Sequence, residues 1–134
     1  MNEEKRRARI LHVENNKYVF RAIKRMMSLY EFAAIHNVHC PDHAAAVKVL
    51  ESNRHFDLII TDHSPPTIDG AEVIRVVRSL AHRRDVPVLM LASTLDYLAP
   101  PAAAGADAFF CKPPDMQEFK ETVKRLLNSV SPLA

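Results

Sequence analysis

Four residues of this chain stand at the ends of apolar runs where their side chains could do chemistry together. Glu14 and Asn15 follow the run 9–13, Asp62 follows 56–61, and Lys112 follows 106–111 with Pro113 behind it. A carboxylate pair with a lysine opposite can hold a divalent cation and balance an anionic group attached to one carboxylate. In that chemistry Asp62 is the nucleophile. The simpler alternative is that Asp62 caps a loop or forms an ion pair with Lys112. No Walker glycine loop, GxSxG or HExxH pattern competes with this constellation.

For these residues to meet, the runs must be strands of one parallel sheet, whose carboxyl ends carry the loops that build a site. The pattern supports it. Short apolar runs at 9–13, 32–38, 56–61, 86–92 and 106–111 alternate with segments of helical period, as in repeated βαβ units. Several of the runs are almost continuously apolar, as strands covered on both faces should be. Helices are expected over 17–29, capped by Asn16, and over 42–51, 71–81 and 116–130. A helix between the last two strands meets Pro100 and Pro101, so at most a short one over 102–104 is expected there.

The run Asp62-His63-Ser64-Pro65-Pro66-Thr67-Ile68-Asp69-Gly70 resembles the acceptor-aspartate loop of response-regulator receiver domains, with a proline four residues on and Asp-Gly closing into a helix. The run Gly105-Ala106-Asp107-Ala108-Phe109-Phe110-Cys111-Lys112-Pro113 resembles the last strand of the same CheY-like family, with its glycine, its aromatic switch position and its Lys-Pro. The likeness covers about residues 10–127 and includes both glycines of the chain. It implies a single domain with its core over about 9–129: a doubly wound, flavodoxin-like five-stranded parallel sheet of order 2-1-3-4-5 with helices on both faces. It further implies phosphorylation of Asp62 by a histidine kinase, a phosphotransfer protein or a small phosphodonor. Mg²⁺ would be held by Glu14, Asn15, Asp62 and the Ser64 carbonyl, and Lys112 would pair with the phosphoryl group. Output would pass through the face of helix four, strand five and helix five to a downstream protein.

Three departures from the family pattern bear on that expectation. Asn15 stands where a second acid is usual, and one charge about 4 Å away is worth on the order of 4 kcal/mol before desolvation, so weak Mg²⁺ binding is expected. The family's phosphoryl-gripping serine or threonine is Ala92 here; Thr94 is the nearest hydroxyl that could swing in, and losing that hydrogen bond costs roughly 1.5–3 kcal/mol of coupling. The segment from Ala92 to Gly105 is shorter than usual and carries the proline pair, so the output face is expected to be remodelled. With Ala92 leaving room beside it, the ring of Phe109 is expected to rest inward. The competing function is therefore a pseudo-receiver, an interaction module independent of phosphorylation.

Composition narrows the rest. A chain of 134 residues, 48% hydrophobic and 25% charged, suffices for one core, and no apolar run is long enough for a membrane span. The charged N-terminus lacks a signal-type apolar stretch, and Cys40 and Cys111 have no CxxC spacing, so a reduced, cytoplasmic protein is expected. A net charge of +2 and one short cluster, Lys5, Arg6, Arg7 and Arg9, read as a solvated tail rather than a nucleic-acid site. If the sequence is the whole protein, the expected readout is another protein, and if it is part of a longer chain the attached output is open; a homodimer is admitted, and no enzymatic activity is expected. His36, His39, Cys40 and His43 are spaced like metal ligands but read as a polar turn with one partly buried imidazole, His12 reads as a core histidine before a catalytic base, and His63 as a solvent-facing loop residue before one that tunes or shields Asp62.

Overall fold

The computed structural model describes residues 6–27, 33–93 and 103–130. Nine elements follow in order: β1 Arg6–Val13, α1 Lys17–Met27, β2 Ala33–Cys40, α2 His43–Glu51, β3 Leu58–His63, α3 Gly70–Ser79, β4 Val88–Ser93, β5 Ala108–Lys112 and α4 Met116–Val130. The strands form one parallel sheet ordered β2-β1-β3-β4-β5. The order reverses between β1 and β3, so their carboxyl ends open a crevice. α4 is the fifth helix of the sequence reading. Thr94 and residues up to 102 lie outside the described residues, but 103–105 form a turn instead of the short fourth helix expected over 102–104. Of that segment, Ala103 accepts the N–H of Ala106 in a turn that leads through Gly105, whose φ is +92°.

Side chains alternate across the sheet and sort into two cores. Leu11, Val13, Ile59, Val88 and Met90 pack with Leu50 of α2 and with Val73, Ile74 and Val77 of α3. Ala8, Ile10, Leu58, Ile60, Leu89 and Leu91 pack on the other face with Ile23, Met26 and Met27 of α1 and Phe119, Val123 and Leu127 of α4. β3 is buried at every position, which explains its unbroken apolar run.

Caps fix the helix starts. Asn16 Oδ1 accepts the N–H groups of Tyr18 and Val19, Asp42 Oδ1 that of Ala45, and Asp69 Oδ1 that of Glu72. The carboxyl end of α2 is held by a cation. Arg83, 2% exposed, donates to the carbonyls of Leu50 and Ser52 and lies over the Phe56 ring, so the negative end of the helix meets a charge that its burial would otherwise oppose. The basic N-terminal cluster is not a tail throughout: Arg6, Arg7 and Arg9 belong to β1 and pair with Ala33, Ala34 and His36, because β2 supplies a ladder for their backbone. Likewise β2 runs two residues further than its apolar run suggests, placing His39 and Cys40 in a strand instead of a turn.

Candidate functional site

Glu14 follows β1 directly, and its N–H continues the ladder by donating to the Cys40 carbonyl at 3.0 Å. The residue is 4% exposed. Asp62, 2% exposed, comes from β3, and Lys112 ends β5 with its side chain about a quarter exposed. One ammonium serves both acids: Lys112 Nζ lies 2.7 Å from Asp62 Oδ1 and 3.3 Å from Glu14 Oε1. The contact to Asp62 is an ion pair without hydrogen-bond geometry, so Asp62 Oδ1 is a buried oxygen with no hydrogen-bond donor among the described residues. The other oxygen, Oδ2, accepts a short 2.6 Å bond from the Ser64 hydroxyl.

Two carboxylates and one ammonium leave a site of net negative charge. Burial pushes the Glu14 carboxyl above the usual range, the charge of Asp62 adds to that, and Lys112 and the Asn16 N–H pull it partly back. Glu14, Asp62 and Lys112 are brought together, and Ser64 joins them through its hydroxyl rather than the carbonyl expected. Asn15 is exposed, and it lines an open pocket with Asn16, Lys17, Tyr18, His39 and Pro41. The Ser64 carbonyl accepts the Ile68 N–H at 3.2 Å while the Ser64 N–H donates to the Ile68 carbonyl at 2.9 Å, so this loop is a closed bridge. A divalent cation fits the donor set in one respect above all: two buried carboxylates share a single ammonium, and Asp62 Oδ1 has no hydrogen bond beside that ion pair.

Three supporting groups were not legible in the sequence. The Ser64 hydroxyl acts on Asp62, where only its carbonyl was expected to matter. An aromatic stack backs Glu14: His39 Nε2 donates to the Glu14 carbonyl at 2.6 Å, the Phe20 ring stacks on His39 at 4.2 Å, and its edge meets His12 at 5.0 Å. Third, His63 is not a solvent-facing loop residue. It is the last residue of β3, 6% exposed, and strand alternation turns it to the face opposite Asp62, where its Nδ1 accepts the Gly70 N–H at 3.0 Å. His12 is the core histidine expected, bonded to Asn37.

At the switch positions, Ala92 is fully buried and in register with His63 and Cys111. Phe109 is half-buried and packs on the α2/α3 core beside Met90, its partner in register. Among the described residues no group of three or more His, Cys, Asp or Glu side chains is arranged to hold a metal, and burial raises the Cys40 thiol above its ordinary value.

Comparison with known proteins agrees with this geometry. The response regulator receiver domain family matches residues 10–124. The chemotaxis protein CheY of Pseudomonas aeruginosa is 27% identical over 125 residues, covering 92% of this chain and 98% of that protein. The transcriptional regulatory protein PrrA of Mycobacterium bovis is 32% identical over 121 residues, 89% of this chain but 49% of its own, so the chain spans about half the length of that regulator. Among solved structures, the signal receiver domain of a histidine kinase from Syntrophus aciditrophicus superposes with a TM-score of 0.81 at 28% identity, covering 95% of each chain. The receiver domain of the sensor histidine kinase PA1611 of Pseudomonas aeruginosa, solved with a magnesium ion in its active-site cleft, gives 0.77 at 24% identity, covering 90% of this chain and 98% of that one. On its fold, its strand-end acids and lysine, and these matches, the chain belongs to the response regulator receiver domain family.

Proposed function

We propose that this receiver domain accepts a phosphoryl group on Asp62 and passes the change to a protein partner. The observation that carries the reading is the Asp62 carboxylate itself, buried at a strand end with Oδ1 lacking a hydrogen-bond donor and Lys112 Nζ at 2.7 Å. A carboxylate oxygen forms the new bond to phosphorus as the donor's P–N or P–O bond breaks, and the leaving imidazole or carboxylate departs with that electron pair. Glu14, Asp62 and the Ser64 carbonyl are the groups that would hold Mg²⁺, which supplies positive charge against the crowded carboxylates and phosphoryl oxygens. Lys112 is already on the acceptor and turns to the new phosphoryl oxygens. Ser64 orients the carboxylate through Oδ2.

The partners fitting this chemistry are a phosphohistidine-bearing kinase or phosphotransfer protein on the input side and a protein reading the face of β5 and α4 on the output side. Such traffic belongs to the cytoplasm, and no described helix is long and apolar enough to cross a membrane. Reduction with borohydride after incubation with acetyl phosphate and Mg²⁺ tests the acceptor. Homoserine at position 62 on peptide mapping is the expected result; unmodified aspartate there, with or without homoserine elsewhere, overturns it.

A second reading has its own observation. The buried Ala92 offers no hydroxyl to a phosphoryl group, Asn15 faces solvent, and Lys112 already balances both acids. Those features suit an interaction module whose binding is insensitive to phosphorylation.

A further inference from the structure

The helix α3 begins with backbone N–H groups that its own turns cannot satisfy. Two imidazoles from two other elements take them. The Asp69 N–H donates to Nδ1 of His43, the first residue of α2, at 3.1 Å, and the Gly70 N–H donates to Nδ1 of His63, the last residue of β3, at 3.0 Å. A backbone N–H only donates, so in both rings Nδ1 is the acceptor and the ring proton sits on Nε2.

These two bonds complete the hydrogen bonding of the loop after Asp62. Pro65 and Pro66 have no N–H, Ser64 and Ile68 bond to each other, and the side chain of Ile68 is fully buried. Of the loop's donors through Gly70, only that of the exposed Thr67 is left to solvent among these bonds. The fit at Gly70 is tight: a Cβ there would lie 3.0 Å from the Asp62 carbonyl oxygen and 3.2 Å from His63 Cβ. The far end of the loop is thus clamped between α2 and β3, and its near end carries the Ser64 hydroxyl on Asp62.

We propose that His43 and His63 are positioning residues for the acceptor site, which hold the backbone of residues 64–69 and through it the Ser64 hydroxyl on Asp62. This rests on reading Asp62 as the acceptor. What the role requires is an acceptor at the Nδ1 position. Asparagine places Oδ1 there; leucine and alanine place none.

The test compares His63→Leu with His63→Asn, and His43→Ala with His43→Asn, in the full chain. Hydrogen exchange of the Asp69 and Gly70 amides is measured without metal, and Mg²⁺ affinity by amide chemical shifts. His63→Leu should speed Gly70 exchange and weaken Mg²⁺ binding about tenfold, with His63→Asn returning both to within about threefold of wild type. His43→Ala and His43→Asn should do the same at Asp69, and this half-buried position serves as the test if His63→Leu does not fold. Unchanged amide exchange in the leucine and alanine variants, or asparagine variants no better than them, overturns the proposal. A wild type that binds no Mg²⁺ counts against the acceptor reading instead, and the exchange rates still decide whether the imidazoles hold the loop.

Discussion

Lys112 Nζ lies 2.7 Å from Asp62 Oδ1, tying the end of β5 to the end of β3 across the intervening β4. The same ammonium reaches Glu14, so a single positive charge is divided between two buried carboxylates. The division leaves charge of one sign in excess in a place with little water. The excess is what a cation or a changed protonation state relieves, and the behaviour of the site with pH and metal follows from it.

Glu14→Gln should stabilise the metal-free fold at pH 7 while weakening Mg²⁺ binding at least about tenfold, roughly 1.4 kcal/mol. The sign comes from the raised carboxyl of Glu14, caused first by burial and then by Asp62. A group whose folded value is raised gives stability that is full below its unfolded value of 4.5 and is lost as pH rises through the folded value. The advantage of the glutamine variant should therefore shrink as the pH falls toward 4.5, read from urea midpoints over a pH series.

His12 acts in the opposite sense. Burial is the largest cause of a drop from 6.5 to about 4, which the bond to Asn37 opposes. Because the neutral ring is favoured in the folded state, its contribution is full above pH 6.5 and is lost as pH falls toward 4, a swing of about 3 kcal/mol. His12→Gln, which keeps a partner for Asn37 without titrating, should flatten this part of the stability curve. An unchanged slope between pH 6.5 and 4 contradicts the assignment.

Gly70→Ala should cost about 1–3 kcal/mol by urea unfolding. The new methyl would meet Met90 Cε at 2.6 Å, which can swing away, and the Asp62 carbonyl oxygen at 3.0 Å, which cannot without moving the acceptor strand. A neutral substitution would show that the α3 start has slack the packing does not suggest.

Ala92→Ser would place a hydroxyl near the end of β4, in register with His63 and so on the sheet face opposite Asp62, from which it must reach round the strand end. If Asp62 is phosphorylated, this hydroxyl gains a charge-assisted bond worth roughly 1.5–3 kcal/mol, and the shift of the Phe109 resonances on phosphorylation should grow accordingly. The same shift with alanine and serine means that β4 does not read the phosphoryl group.

Much of this was visible in the residues because parallel sheets write simple patterns. Runs buried on both faces marked β3 and β4, helical spacing marked the 116–130 helix to its ends, and the residues after each run located Glu14, Asp62 and Lys112. Boundaries slipped where backbone pairing overrode side-chain polarity, as at Arg6 in β1 and at His39 and Cys40 in β2. The supporting contacts were hidden for a different reason. His43, His63, Phe20 and His39 act on backbone atoms or on rings brought close by tertiary packing, and no spacing along the chain encodes which N–H or carbonyl an imidazole will meet.

Intact-protein mass spectrometry after incubation with acetyl phosphate and Mg²⁺, run beside Asp62→Asn, tests the central claim most directly. A labile gain of about 80 Da, one phosphoryl group, on the wild type and not on the variant is the predicted result. No gain on the wild type across a Mg²⁺ titration, or an equal gain on Asp62→Asn, contradicts it.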